Sequence, residues 1–306
     1  MRWPCIQGAP MAEIWRNRLP RPISDERPAA PSTVTEATMT LNHTQSADDT
    51  VWKAPHLPAP AAMPADGTEM WRDLAALEAL IAGRPIRVVG DVHGDLRAFE
   101  HAVATERFVI QLGDLVDHGP DSVGTFRLMQ RLLDDGRGLF ILGNHDRKLA
   151  RALAGHKLRF DAALNETIRQ FRAPENDDVH HRAVQDIAGA PPWIVLGRRI
   201  FVHGGFHSRM LDEPPPPGLG VVTPLLSRAL FGETTGRTRK DGYPERRLNW
   251  VDHVPPGYTV YCGHDRRSTD GRPWVRAGRA GGRSVFTDTG AGKGGHLAWI
   301  DLPAED

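Results

Sequence analysis

The stretch Val88-Val89-Gly90-Asp91-Val92-His93-Gly94-Asp95 decides the fold of this chain. Two apolar β-branched residues predict the end of a buried strand, and the two glycines permit the sharp turn that follows. Asp91 and His93 are two residues apart, so in extended geometry their side chains fall on one side of the chain. An oxygen and an imidazole nitrogen suit zinc, manganese or iron better than magnesium or calcium. The alternative is an ordinary strand-to-helix turn with a capping Asp and a surface His.

The same kind of ending, an apolar strand followed by glycine and a polar side chain, recurs along the chain. The recurrences are Gly113-Asp114, Gly143-Asn144-His145, His203-Gly204-Gly205 and Gly263-His264. Between the first two strands, Leu96, Phe99 and Val103 repeat at helical spacing and predict a βαβ unit. Open α/β sheets build their sites at the carboxyl ends of their strands. The sequence therefore predicts an α/β fold with its site there.

The side chains at these strand ends can hold two cations. Asp114 can face the first cation and be shared with a second, for which the Asn144 carbonyl becomes a useful ligand. Two metals about 3.5–4 Å apart can hold a phosphate, generate hydroxide at neutral pH and stabilise an in-line displacement. His145 points away from Asn144 and is free to handle protons. The predicted metal ligands are Asp91, His93, Asp114, Asn144, His203 and His264.

Composition disfavours several classes of partner. The 306 residues include 38 Lys+Arg and 38 Asp+Glu, so no global basic field indicates a nucleic acid or an anionic membrane. No apolar run approaches the length of a membrane span. The two cysteines are Cys5, in an irregular stretch, and Cys262, in an apolar strand, so we expect no disulfide and a cytoplasmic location.

Two regions are predicted. Residues 1–69 are rich in Pro and Ala and predict a disordered extension or an upstream-start artefact, and residues 70–306 predict the folded domain. Within that domain, residues 147–188 predict a charged, mostly helical insertion. Its His156, His180 and His181 are interpreted as surface histidines without a role in the chemistry. Residues 206–249 predict a loop that covers the site rather than filling the core. The last two strands, 284–288 and 296–302, are predicted to pair with each other.

The motifs resemble those of the calcineurin-like metallophosphoesterases of the phosphoprotein-phosphatase type, which carry GDxHG, GDxxDRG, GNHE and HGG blocks. The matching residues are Gly90–Gly94, Gly113–Gly119, Gly143–Asp146 and His203–Gly205. The resemblance implies a two-sheet β-sandwich flanked by helices. It assigns Asp91, His93 and Asp114 to one metal, and Asp114, Asn144, His203 and His264 to the other. Manganese is the expected metal, with iron, zinc or nickel as alternatives.

The resemblance also implies roles for other residues. His145 would protonate the leaving oxygen, oriented by Asp117, because a neighbouring carboxylate favours the protonated imidazole. The C-terminal blocks, such as Phe231–Gly236, are similar to a bacterial subgroup. That subgroup includes small Ser/Thr-type protein phosphatases and the phosphatase module of polynucleotide kinase-phosphatases, with diadenosine tetraphosphatases as cousins. By that likeness Arg246 would bind the substrate phosphate and Asp288 would sit beside the metals.

Two positions depart from the family pattern. His118 stands where the family has an Arg that clamps the phosphate, and Asp146 ends the GNHE block. Histidine cannot reproduce the guanidinium fork and is only partly charged at neutral pH. His118 is retained as a predicted substrate contact, with altered substrate preference or altered activity as the consequence.

Three functions fit this pattern. The first is a metal-dependent hydrolase of phosphomonoesters, similar to Ser/Thr protein phosphatases. The second is a nucleotide-directed hydrolase that acts on dinucleoside polyphosphates or on RNA-terminal or 2′,3′-cyclic phosphates. The third, a metal-binding module without turnover, is disfavoured by the complete ligand set and by His145. The expected partner is thus a phosphorylated substrate, either a phosphoprotein or a nucleotide, and no membrane partner is expected.

Overall fold

The structure, a computed structural model, describes residues 83–240 and 244–304, together with Leu77 and Ile81. The predicted extension over residues 1–69 lies outside the described residues. Leu77 and Ile81 are helical and buried.

Eleven strands in the described residues form two mixed sheets and a hairpin. They are β1 (Ile86–Val89), β2 (Phe108–Gln111), β3 (Gly138–Phe140), β4 (Trp193–Leu196), β5 (Arg199–Val202), β6 (Glu233–Thr238), β7 (Pro244–Arg247), β8 (Thr259–Cys262), β9 (Trp274–Ala277), β10 (Arg283–Phe286) and β11 (Trp299–Leu302). The first sheet has the order β11-β1-β2-β3, the second has the order β4-β5-β8-β10-β9, and β6 pairs with β7. Strands β1, β2 and β3 run parallel in the first sheet, and β5, β8 and β10 run parallel in the second.

The two sheets pack face to face because alternate residues of each strand point to opposite sides. Val88 and Ile110 of the first sheet share one buried cluster with Phe201 and Tyr261 of the second. The Phe201 and Tyr261 rings stack with centroids 5.4 Å apart. Val89, which follows Val88, belongs instead to the cluster on the outer face of the first sheet. The two-sheet sandwich predicted from the sequence is therefore confirmed.

Helices cover both outer faces of the sandwich. The α-helices in the described residues are α1 (Leu96–Val103), α2 (Ser122–Asp134), α3 (Asn144–Leu153), α4 (Ala162–Phe171), α5 (Asp177–Gly189) and α6 (Pro224–Phe231). Helices α1 to α5 supply buried residues to the cluster on the first sheet. Leu225 and Ala229 of α6, with Met210 and Trp250 of two 3₁₀ turns (Ser208–Leu211 and Asn249–His253), pack on the second sheet. None of the described helices has the length and apolar character needed to cross a bilayer.

Two predicted features differ from the structure. Residues 206–249 do not simply cover the site: α6 lies within them, and its Leu226 and Leu230 are fully buried. Thr223 accepts a hydrogen bond from the Leu226 N–H and Pro224 occupies the first helical turn, so the segment carries a regular helix start. The last two strands do not pair with each other. β10 lies between β8 and β9 in the second sheet, whereas β11 pairs with β1 in the first.

Candidate active site

Residues that follow the parallel strands of both sheets lie together at one site. Asp91 and His93 follow β1, Asp114 and Asp117 follow β2, Asn144 follows β3, His203 follows β5, His264 follows β8 and Asp288 follows β10. The Asp91 carboxylate accepts hydrogen bonds from the backbone N–H of His264, at 3.0 and 3.1 Å. This contact joins an end of the first sheet directly to an end of the second.

The backbone of the site is held in an uncommon conformation. Five non-glycine residues of the described chain have positive φ, and all five belong to the predicted site: His93, Asp114, Asp117, His118 and His264. Non-glycine residues pay a steric cost in this region, and such residues concentrate at functional sites. The packing is equally tight, since a Cβ atom added at Gly263 would overlap the Asp91 carboxylate.

The first candidate metal group consists of Asp91, His93 and Asp114. Their ligand atoms lie within 4.8 Å of one another, and all three residues are buried. His93 Nε2 is 3.9 Å from Asp91 Oδ2 and 3.7 Å from Asp114 Oδ2. His93 Nδ1 donates to the Val116 carbonyl at 3.0 Å, so the lone pair of Nε2 faces the carboxylates. A backbone carbonyl that accepts from the other ring nitrogen and so fixes the tautomer is typical of metal-binding histidines.

The second candidate group shares Asp114 with the first. His203 Nε2 lies 3.3 Å from Asp114 Oδ2, 3.1 Å from Asn144 Oδ1 and 3.1 Å from His264 Nδ1. His203 Nδ1 donates to the Leu112 carbonyl at 2.8 Å. In the neutral imidazole, Nε2 is therefore an acceptor that faces two oxygen acceptors. Such a convergence is repulsive unless a proton or a metal cation lies between the atoms, and the donor set of carboxylate, amide oxygen and imidazole suits a divalent metal.

The electrostatics of the two groups also fit cations. Burial and the neighbouring charge of Asp288 raise the pKa of Asp91 well above its usual range. Burial lowers the pKa of His93 well below its usual value, which leaves its imidazole neutral. For His203, burial lowers the pKa, but the Asp114 carboxylate outweighs it and raises the pKa to about 9. Buried carboxylates thus draw positive charge to the site, and a divalent cation would supply it.

His145 and Asp117 form a hydrogen-bonded pair beside the metal groups. His145 Nδ1 donates to Asp117 Oδ2 at 2.6 Å, and Thr167 Oγ1 donates to the other oxygen of Asp117 at 2.6 Å. Asp117 is fully buried. Burial lowers the pKa of His145, but the charges of Asp114 and Asp117 outweigh it, so the pKa is raised. The pair can hold a proton on His145 Nε2 for transfer.

Asp146 ties the ends of β2 and β3 together. Its carboxylate accepts hydrogen bonds from the backbone N–H groups of Asp114 at 2.8 Å, Leu115 at 2.9 Å and Gly143 at 3.1 Å. The N–H of His145, in the first turn of α3, donates to Asp114 Oδ1 at 2.9 Å. The position that ends the GNHE block is therefore a support for the shared carboxylate Asp114.

The three predicted substrate contacts lie at the edge of these groups. The His118 ring is 5.0 Å from that of His93 and 5.1 Å from that of His145. Burial and the charge of Lys293 lower the pKa of His118 to about 4, so the expected partial charge at neutral pH is absent. Arg246 Nη1 donates to the His264 carbonyl at 3.1 Å. Asp288 is buried, and burial is the main cause of its raised pKa.

Residues that the sequence analysis did not single out also contact the site. Thr167 lies in α4, within the insertion predicted over residues 147–188, and it contacts Asp117 across 50 positions of sequence. Lys293 Nζ donates to His93 Nε2 at 2.7 Å. The Thr167 position has no sequence signal, because the contact depends on how α4 packs. The Lys293 position has one: it is a cation in a glycine-rich turn that follows Asp288.

Comparisons with known proteins agree with this fold. A family model for the calcineurin-like phosphoesterases matches residues 84–278. The bis(5′-nucleosyl)-tetraphosphatase PrpE [asymmetrical] of Geobacillus thermodenitrificans is 27% identical over 237 residues, which cover 71% of this chain and 90% of that protein. The protein of the same name from Oceanobacillus iheyensis is 24% identical over 240 residues, covering 72% and 90%.

Among solved structures, a protein serine/threonine phosphatase from Saccharomyces cerevisiae with similarity to human phosphatase PP5 covers 75% of this chain. The match covers 82% of that structure, with a TM-score of 0.46 and 14% identity. The family model spans more than half of the chain. The protein belongs to the calcineurin-like phosphoesterase family and is a phosphoric ester hydrolase.

Proposed function

We propose that the chain hydrolyses a phosphomonoester whose leaving group is a poor one, such as the serine or threonine oxygen of a phosphoprotein. The observation that carries this proposal is the pair of His145 and Asp117, with its 2.6 Å hydrogen bond and the raised pKa of His145. An alkoxide is about as basic as hydroxide, so it is a poor leaving group at neutral pH. Such a leaving oxygen needs a proton as the bond to phosphorus breaks, and His145 is placed to donate one.

The residues assigned to the two metals are those already predicted: Asp91, His93 and Asp114 for one, and Asp114, Asn144, His203 and His264 for the other. Two divalent cations held there would polarise the phosphoryl oxygens and supply hydroxide at neutral pH. We propose manganese as the metal, with iron, zinc or nickel as alternatives.

Each of the other side chains has a separate task in this proposal. Asp117 orients His145 by accepting from Nδ1, so that Nε2 carries the proton toward the leaving oxygen. Thr167 holds Asp117 in place through the second carboxylate oxygen. Arg246 binds the substrate phosphate beside His264, and Asp288 holds negative charge beside Asp91.

A second candidate is the hydrolysis of dinucleoside polyphosphates. It is favoured by relatives named bis(5′-nucleosyl)-tetraphosphatase, which this chain covers over 90% of their length. The leaving group of that reaction is a phosphate oxygen, whose last ionisation has a pKa of about 6. It departs without needing a strong acid, so the His145–Asp117 pair contributes less to this reaction than to ester cleavage.

One panel of substrates distinguishes the two candidates. Metal-loaded protein is assayed with phosphoserine peptides, diadenosine tetraphosphate and a 2′,3′-cyclic nucleotide at equal concentration. We expect the highest kcat/KM on the phosphopeptides. A preference of tenfold or more for diadenosine tetraphosphate would replace the first candidate by the second, and failure to hydrolyse even an aryl phosphate would overturn both.

The proposal also covers the bounds of the domain, the partner and the cellular location. The folded domain spans residues 70–306, and all described residues fall within it. The partner is a phosphorylated substrate, without a membrane or a nucleic-acid surface. A cytoplasmic location fits the free, fully buried thiol of Cys262, which needs no oxidising compartment.

A further inference from the structure

Lys293 lies on a glycine-rich turn that packs against the first metal group. The turn runs from Gly290 to Gly295, and the backbone N–H groups of Lys293 and Gly295 both donate to the Gly290 carbonyl, at 3.0 and 2.8 Å. Gly292 has a φ of 67°, and a Cβ atom added to it would overlap the His93 carbonyl oxygen. The backbone that carries Lys293 is therefore fixed directly beside a predicted metal ligand.

The ammonium group of Lys293 points into the site, although the residue itself is exposed. Nζ donates to His93 Nε2 at 2.7 Å, while His93 is completely buried. The side chain thus enters from the solvent side, where a substrate also enters. Its charge acts on Asp91 and Asp288 as well as on His118.

The contact with His93 is one that a bound cation would take over. The Nε2 lone pair serves either the ammonium or a divalent metal, since His93 Nδ1 is occupied by the Val116 carbonyl. Lysine has a flexible four-carbon stem and a compact charge, so Nζ can move while the turn stays in place. An anion at the open side of the site is then its favoured partner.

The two long basic side chains described at the site flank different metal groups. Lys293 contacts His93 of the first group, and Arg246 contacts the His264 carbonyl of the second. His118 lies near His93, but a single imidazole presents neither a fixed charge nor two parallel donors. We propose that Lys293 binds the substrate phosphate from the side of the first metal group, as the fixed positive charge that His118 does not provide. This inference rests on the proposed phosphoester hydrolysis.

The test compares Lys293→Met, which keeps the length and removes the charge, with Lys293→Arg, which keeps the charge. Lys157→Met is the matched control, because Lys157 is an exposed residue in the loop after α3. For each metal-loaded protein, calorimetry gives the Kd of inorganic phosphate, elemental analysis gives metal content, and an aryl phosphate gives KM and kcat. A charge-assisted hydrogen bond is worth about 1.5–3 kcal/mol, so the Kd for phosphate should rise at least tenfold in Lys293→Met. In Lys293→Arg and Lys157→Met it should stay within about threefold.

Two results would overturn the role of Lys293. The first is an unchanged phosphate Kd in fully metal-loaded Lys293→Met. The second is a loss of metal in that variant, which would make Lys293 a support for His93 instead. Phosphate binding does not require turnover, so a parent protein that binds phosphate but hydrolyses no ester would refute the proposed function without deciding the role of Lys293.

A double-variant cycle tests whether the two positions serve the same phosphate. His118→Arg should tighten phosphate binding more in the Lys293→Met background than in the parent, because only there is the fixed charge missing. Equal gains in both backgrounds would show that Lys293 and His118 act independently. That result would contradict the proposal that Lys293 supplies the positive charge that His118 lacks.

Discussion

Replacing His145 by alanine should slow ester hydrolysis in proportion to the basicity of the leaving group. A general acid typically contributes about 10²–10⁴-fold, equivalent to about 3–5 kcal/mol of transition-state stabilisation. The 2.6 Å bond to buried Asp117 and the raised pKa of His145 place it in the upper part of this range for a poor leaving group. With phenyl phosphate we expect a loss of about 10³-fold, and with 2,4-dinitrophenyl phosphate, whose phenol leaves as the anion, a loss of less than about tenfold.

The residues behind His145 should show graded effects. The charges of Asp114 and Asp117 together raise the pKa of His145, and Asp117→Asn removes the second of them. A hydrogen bond to a charged group is worth about 1.5–3 kcal/mol, so the phenyl phosphate rate should fall by roughly 10–100-fold. Thr167→Val leaves the His145–Asp117 bond in place and should cost roughly fivefold, as for one ordinary hydrogen bond. His156→Ala, a change at an exposed histidine in the loop after α3, is the control.

The pH dependence of kcat/KM tests which protonation state of His145 is active. A general acid must be protonated, so the kcat/KM of the parent on phenyl phosphate should fall as pH rises through the pKa of His145, which lies above its usual 6.5. This alkaline limb should disappear in His145→Ala, while the metal content stays at the parent value. Equal losses for both esters, or an unchanged alkaline limb, would refute the role of His145 as a general acid.

Three further outcomes are expected. Asp114→Asn should lower the content of both metals, because Asp114 belongs to both groups, whereas Asp91→Asn should lower mainly one; equal occupancy of two metals in Asp114→Asn, measured by elemental analysis, would contradict the shared role. His118→Arg should raise kcat/KM for a simple phosphomonoester by roughly tenfold, and no gain between pH 6 and 9 in steady-state assays would assign the phosphate to other residues. Deleting residues 1–66 should leave activity near the parent value, and a loss of soluble protein would show that they pack on the domain.

The site was predictable because its residues follow a repeated local pattern. Each of Asp91, Asp114, Asn144, His203 and His264 follows a short apolar strand within a few residues, and parallel strands deliver their carboxyl ends to one edge. Strand length, apolar character and the flanking glycines are local properties, so the sequence contains them. The two-sheet arrangement could be predicted only from the family resemblance, because the sequence of an apolar strand does not indicate which sheet the strand joins.

The failed predictions concern partners that are distant in sequence. β10 and β11 are neighbours along the chain, yet Val285 packs beside β8 and Ile300 pairs with Val88 of β1. Residues 206–249 were interpreted from their Pro and Gly content, although Leu226 and Leu230 lie at helical spacing after a capping Thr. In both cases the local pattern was compatible with two outcomes, and tertiary packing chose between them.

The non-glycine residues with positive φ explain why the local sequence pattern and the site coincide. A residue such as Asp114, with a φ of 58°, turns the chain sharply at the strand end, so its carboxylate faces His203 while its own N–H reaches Asp146. A conformation of this kind costs of the order of 1–3 kcal/mol and persists only when its surroundings fix it. Backbone hydrogen bonds to Asp146 and close packing at Gly263 supply that constraint. The fold itself therefore holds the ligand atoms in place, and the cost of ordering them falls on folding rather than on catalysis.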